Sequence, residues 1–339
     1  MSIAARTFTG ILLCVAGVAG AAGTTSDTTS GTGRAVHIYV APAGNDQAGG
    51  LAPDKALATL GQALKVYGTT CDRQAIEIQV AAGSYSNERN TLKRVPCPLR
   101  ITGENGSRPR FSGGGNGTWL NLSAPGAGNV DVTIKGLEIS DYQTAISVNG
   151  NRNSPDAWIG GVRILDNRFS HIGSFREDQS PSTAAVRFVN TRSSVIEGNE
   201  FETIRNFKSC GGLHSIYMAS MSSNNLIKGN RFIDGCGDAI KVRDASNGNR
   251  VIDNQFERQE GNALFLDSYC DKNARGDCTK PEGECPSWDN VFEDNTVRGP
   301  RAASNKKIVN TRKIESTLPN CPPPPAGRSR MQERGTRAQ

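Results

Sequence analysis

Aromatic residues make up only 6% of this 339-residue chain, and histidine occurs three times. Hydrophobic content is 36%, which is lean for a thick globular core but suits a narrow column of Val, Ile and Leu. No stretch beyond the N-terminus approaches the roughly 18 apolar residues of a membrane span, so membrane insertion is not expected. Cys270, Cys278 and Cys285 are the rival to consider for zinc, but no CxxC pair is present to support that reading. The net charge of +6 falls largely on the C-terminus, where Arg328, Arg330, Arg334 and Arg337 face only Glu333, and on Arg6. The remaining body carries about +2, too little for a phosphate-binding stripe. Nucleic acid is therefore excluded as a partner.

A repeat fills the space these absences leave. IKGLEI, ILDNRF, VIEGNEF, LIKGNRF, VIDNQF and VFEDNTV share an aliphatic pair, a Gly or Asp corner, Asn and a large apolar residue. The corner position falls at Leu137, Asn167, Asn199, Asn230, Asn254 and Asn295, in steps of 30, 32, 31, 24 and 41. A second apolar alternation follows each: TAISV, AAVRFV, SIYMA, DAIKVR, NALFLD and KIVN. Short strands around an Asn corner at this period describe the rung of a solenoid. The fold expected is all-β, a right-handed parallel β-helix with an N-terminal capping helix. The Asn column reads as structural, because Asn tolerates the left-handed backbone of a tight corner and its amides can bond between rungs. Phe169, Phe201, Phe232 and Phe256 are expected to stack in the core.

Arg6, the apolar run Ile11 to Val18 and the small residues that follow have the layout of a secretory signal peptide over 1–22. A polar linker, 23–35, comes next. Pro53 and Asp54 are expected to start a helix with Leu57, Leu60, Leu64 and Tyr67 on one stripe, closing the open end of the solenoid. The β-helix is expected over 36–316, and 317–339, rich in Pro and Arg, as a disordered tail. Eight cysteines remain behind the signal peptide, an even number that suits disulfides in an oxidising compartment. Cys210 with Cys236 and Cys71 with Cys97 are the pairs expected. Cys270, Cys278, Cys285 and Cys321 pair among themselves in an order the sequence leaves open.

Alternation in the second strand of each rung sends one set of side chains outward. With Ile146, Val186, Ile216, Ile240 and Leu264 inside, the outer column reads Ser147, Arg187, Tyr217, Lys241 and Phe265. Two residues on, a second column reads Asn149, Val189, Ala219, Arg243 and Asp267. His214 and Asp238 precede their strands and would border this patch, and Tyr269 leads into a cysteine-rich loop, 270–285, that would wall it. The bland alternatives are a solvated basic face, Lys241–Asp267 or Arg243–Asp267 ion pairs, and a turn role for His214.

The opening YVAPAGND and APDKALATLGQAL, followed by GN-x-F rungs, resembles the right-handed parallel β-helix superfamily of pectate-lyase-like proteins, in its secreted bacterial members. The resemblance covers about 36–316. It implies a polysaccharide ligand and, for the lyases of the superfamily, a Lys or Arg base on this sheet, often with calcium. The residues suit β-elimination from a uronic acid, which needs a base and a cation to stabilise the enolate. The expected roles are Lys241 or Arg243 as base, Arg187 with the remaining cation on the carboxylate, and Tyr217 as acid. His214, Asp238, Phe265, Asp267 and Tyr269 complete the expected binding surface. ALFLDS stands where alginate- and dermatan-type lyases carry an LRH-like strand, and the DPH, NTD and GHG signatures of other branches are missing. No multi-aspartate calcium cradle is evident, and no metal ligand is assigned. The alternatives are a hydrolase using Asp238 and Asp267, and a non-catalytic glycan binder. A secreted monomer is expected in each case.

Overall fold

The computed structural model describes residues 35–269, 283–299, 307–311, 321 and 326–339. Each rung carries up to three short strands, and each strand pairs in parallel with its equivalents in the rungs before and after. One rung runs Leu226–Lys228, a corner, Arg231–Ile233, a loop and then Ile240–Val242. The next begins at Arg250–Ile252. Stacking of such rungs gives three parallel sheets and a right-handed parallel β-helix. The expected signal peptide and all but the last residue of the expected linker lie outside the described residues. Among the described residues, no helix is long and apolar enough to cross a membrane.

The corner asparagines do what the repeat suggests, with one difference. The Asn199 Oδ1 accepts from the Asn167 backbone N–H at 2.9 Å, and Asn230, Asn254 and Asn295 each serve the rung before in the same way. Their Nδ2 atoms donate to carbonyls of the preceding sheet, such as Ile164 and Ile196. Asn167 reaches the Leu137 N–H at 3.0 Å, so the first position receives the bond without supplying one. The left-handed residue is not the Asn but the one before it: Asp166, Gly198, Gly229, Asp253 and Asp294 have φ between 52° and 68°. Gly and Asp accept that conformation most readily there, which frees the Asn amide to turn inward.

Two further buried ladders escaped the sequence reading. Asn225, Asn249 and Asn290 bond upward to Ser194, Asn225 and Asn249. Ser222, Ser246 and Ser287 do the same for Thr191, Ser222 and Ser246. Their signal is an S-x-x-N spacing five residues ahead of each corner Asn. Inside, Phe169, Phe201, Phe232 and Phe256 stack with centroids 4.8–5.0 Å apart. Outside, Arg110, Glu138, Arg168, Glu200 and Arg231 occupy one column, alternate in sign and pair between rungs.

The ends differ from expectation. Pro53–Lys55 is a single 3-10 turn, and Leu57 follows it in extended backbone bridged to Val40. The helix starts later, at Leu60–Thr70, because the Thr59 side chain caps it by accepting from the Gln62 N–H. Leu60, Ala63, Leu64 and Tyr67 are buried against the first strands. At the other end, 317–339 is not wholly a disordered tail: Met331–Arg334 pairs with Asn290–Glu293, and Arg337–Ala338 with Thr296–Arg298. Backbone pairing tolerates the arginines because alternate side chains stay in water. Disulfides join Cys71 to Cys97, Cys210 to Cys236 and Cys285 to Cys321, as suits an oxidising compartment. The third pair takes Cys285 out of any zinc set, while Cys270 and Cys278 lie outside the described residues.

Replacing Asn230 by Ala leaves the buried Asn199 N–H and the Ile196 carbonyl without their partner. Stability is expected to fall by about 1–3 kcal/mol, read as a lower urea midpoint; an equivalent change at exposed Asn116 is expected to have little effect.

Candidate active site

The third sheet carries Ala184–Val189, His214–Ala219, Ile240–Val242 and Ala263–Asp267 in successive rungs. Register places Ser147 opposite Arg187, Arg187 opposite Tyr217, and Tyr217 opposite Lys241. These four therefore stand in one outer column at about 4.8 Å per step. The Lys241 ammonium lies 5.8 Å from the centre of the Tyr217 ring. All three of Arg187, Tyr217 and Lys241 are half-buried.

One rung on, the expected register fails. Lys241 faces Leu266, and Ile240 faces Phe265. Phe265 is thus an interior side chain, fully buried and packed near Phe292, and does not line the outer face. Every position of Ala263–Asp267 is buried, so apolar alternation offered no parity to read. The same slip turns Asp267 inward. Its Oδ2 accepts from Arg330 Nε and Nη2 at 2.8 and 2.5 Å, and the Arg330 guanidinium also lies 5.2 Å from the Tyr269 ring centre. Asp267 and Tyr269 hold the C-terminal segment instead of a ligand. Neither the Lys241–Asp267 nor the Arg243–Asp267 pair forms.

Asp238 is also structural. It is buried, and its Oδ1 accepts from the Ala263 N–H at 2.6 Å, fixing the start of the next strand. His214 is 2% exposed and lies beneath the patch. Its Nδ1 bonds the Asp238 carbonyl at 2.7 Å, and its ring stacks on Tyr217 at 5.8 Å between centroids. Burial pushes the imidazole down to about 3, with Lys241 and Arg243 opposing protonation as well. The neutral imidazole donates its Nδ1–H to the Asp238 carbonyl and supports the phenol ring.

The two arginines differ in charge compensation. Arg243 donates through Nε to Glu284, a side chain only 4% exposed. Its backbone N–H bonds the Met218 carbonyl at 2.9 Å, which sets it beside the Tyr217 phenol, with which it interacts favourably. Burial works against the Arg243 charge, but these contacts outweigh it and raise its pKa. Arg187 donates Nε to the Ser147 hydroxyl at 3.1 Å, and no carboxylate pairs with it among the described residues. Burial, with the nearby Arg152 guanidinium, pulls its pKa down. Glu284 and Arg152 were missed because both sit on loops, where no periodicity marks them. For Tyr217, burial raises the phenol pKa, Arg243 draws it back, and Glu284 adds to the rise. The phenol is protonated at neutral pH.

The described residues contain no group of three or more His, Cys, Asp or Glu able to hold a metal. They do not fit the calcium cradle that the resemblance implies, and no step is routed through one.

A sequence profile described as a right-handed β-helix region matches residues 110–279. The chain belongs to the right-handed β-helix family. Among solved structures, this β-helix is similar to an alginate lyase from Paenibacillus sp., with 12% identity, TM-score 0.55, and 81% of this chain and 93% of that one covered. A pectate lyase matches at 12% identity and TM-score 0.54 over 89% and 76% of the two chains. A glycoside hydrolase matches at 10% and 0.53 over 89% and 96%. At these identities the likeness is one of fold. No curated protein sequence matches the chain.

Burial pushes the Asp267 carboxyl up to about 6, against the pull of Arg330. A folded-state value above the ordinary carboxylate value of about 3.9 means that the folded chain binds the proton more tightly. The stability this group contributes is full below about pH 4 and is lost as pH rises through about 6. Asp267→Asn is expected to flatten that part of the urea-midpoint profile; an unchanged slope would refute the assignment.

Proposed function

We propose that this β-helix is a secreted protein that binds an acidic polysaccharide across Arg187, Tyr217 and Lys241 and cleaves it by β-elimination. The observation that carries the reading is Arg187. A half-buried guanidinium with one neutral hydrogen bond and no carboxylate among the described residues lacks there the counter-ion that a desolvated charge requires. A uronate carboxylate supplies it, bidentately if both Nη atoms engage. The disulfides and the N-terminal apolar segment support export.

In this reading Lys241 removes the C5 proton, and its electron pair forms the C4=C5 double bond as the C4–O4 bond breaks. Tyr217 gives its proton to the departing O4. Arg187 stabilises the negative charge that builds on the carboxylate before the bond breaks. The proton on Lys241 then returns through solvent to the tyrosinate. Arg243, already neutralised by Glu284, holds the phenol and is not the base. The paired-carboxylate hydrolase reading loses support, since Asp238 and Asp267 are buried and committed to backbone and to Arg330.

The test is incubation with uronate polymers such as alginate and polygalacturonate, following the ultraviolet absorbance of the new conjugated double bond. Lys241→Ala and Tyr217→Phe are each expected to lower turnover by about 10²–10⁴, and Arg187→Ala to lower kcat/KM most on fully charged polymers. New reducing ends without absorbance would replace elimination by hydrolysis. Retardation in a glycan-containing gel without cleavage would make the face a binding surface.

A further inference from the structure

We propose that Glu284 is a positioning residue for Tyr217, acting through Arg243, and that the Cys285–Cys321 disulfide is the clamp that holds it there. The inference rests on the reading of the Tyr217–Lys241 face as the reacting face. Glu284 is far from Tyr217 in sequence, and its neighbour Cys285 is joined covalently to Cys321. The segment is fixed to the turn after Ile240–Val242 at several points. The Asp244 carboxylate accepts from the Cys285 N–H at 3.3 Å, and the Ala245 N–H donates to the Cys285 carbonyl at 2.9 Å. Further on, the Trp288 N–H donates to the Asn247 side chain at 2.8 Å, and Ser246 bonds Ser287.

These contacts deliver one buried carboxylate to one half-buried guanidinium, which in turn meets the phenol. The chain of contacts has a chemical purpose. Arg243 by itself pulls the Tyr217 pKa down, loosening the proton that the acid must hold until it is given up. Glu284 cancels that pull, and its own charge favours the protonated phenol. Arg243 is also fixed in place, its guanidinium by Glu284 and its backbone by the Met218 carbonyl next to Tyr217. Arg187, two rungs back and without such a carboxylate among the described residues, stays available to an anion. The acid of the site is therefore completed only when Cys285 and Cys321 have joined, which ties its assembly to an oxidising compartment.

The Nε proton of Arg243 reports the clamp without any turnover. Its resonance in a nitrogen-15 spectrum is identified by its loss in Arg243→Lys, and its exchange with solvent is slow while Glu284 accepts from it. Glu284→Gln is expected to speed that exchange about tenfold or more. The Cys285→Ser/Cys321→Ser double variant, checked for an intact fold by circular dichroism, is expected to do the same. Exchange as slow as in the parent in the folded double variant would overturn the clamp. Unchanged exchange in Glu284→Gln would overturn the role of Glu284, whether or not the double variant folds. On a cleaved polymer, Glu284→Gln is expected to lower kcat with little change in KM and to move the alkaline limb of the pH profile to lower pH. An unmoved limb would overturn the positioning role. If no polymer is cleaved by the parent chain, the lyase reading fails while the exchange result stands by itself.

Discussion

The rest of the molecule depends on the buried amide of the corner asparagine. A parallel stack of short strands has no hairpin to fix its register, and three-residue pairings such as Val195–Glu197 on Leu226–Lys228 offer little to resist slipping. Asn199, Asn230 and Asn254 settle the matter at each rung by accepting from a backbone N–H of the preceding rung and donating to one of its carbonyls. A one-residue slip would leave these buried groups unpaired, at about 1–3 kcal/mol each. Because the amides repeat, the constraint passes along the stack, and the outer face inherits it. Arg187, Tyr217 and Lys241 are separated by dozens of residues and brought together by a side chain that touches none of them.

On that outer face, compensation decides what a cation can do. The chain carries many arginines, and on the second sheet Arg110, Arg168 and Arg231 are matched by carboxylates one rung away. Such exposed pairs are worth little individually, but they remove the arginines from competition for an acidic ligand. Arg243 is matched in a different way, by Glu284 delivered from a loop. Among the described residues, Arg187 bonds the Ser147 hydroxyl and meets no carboxylate. Its distinction comes from the absence of an acidic neighbour there, which no reading of its own side chain reveals.

What was legible in the sequence follows from periodicity. The rung length, the Asn corners, the phenylalanine stack and the order Ser147–Arg187–Tyr217–Lys241 all repeat, and repetition aligns them. One disulfide was visible for the same reason, since Cys210 and Cys236 hold matching places in adjacent rungs. Legibility ended where alternation ended. Ala263–Asp267 is buried at every position, so Phe265 and Asp267 were assigned one residue out of phase. His214 and Asp238 were located correctly along the chain, but their depth depends on how the loop ahead of each strand folds. The C-terminal arginines looked like a solvated run because the partners that order them, Asp267 and Asp289, lie dozens of residues upstream. Glu284 had no periodic neighbour and depends on a cross-link for its place.

The alternating column Arg110–Glu138–Arg168–Glu200–Arg231 has a further consequence for how such a chain can change length. Glu138, Arg168 and Glu200 each face an opposite charge above and below, and the end members Arg110 and Arg231 face Ser84 and Gln255 on their outer sides. Excising the single rung that carries Arg168 would set Glu138 against Glu200, and duplicating it would set Arg against Arg. Taking out two consecutive rungs keeps every neighbour of opposite sign. The column therefore counts rungs by parity: within it, the solenoid can be shortened or extended in pairs at low electrostatic cost, and singly only with a compensating charge reversal.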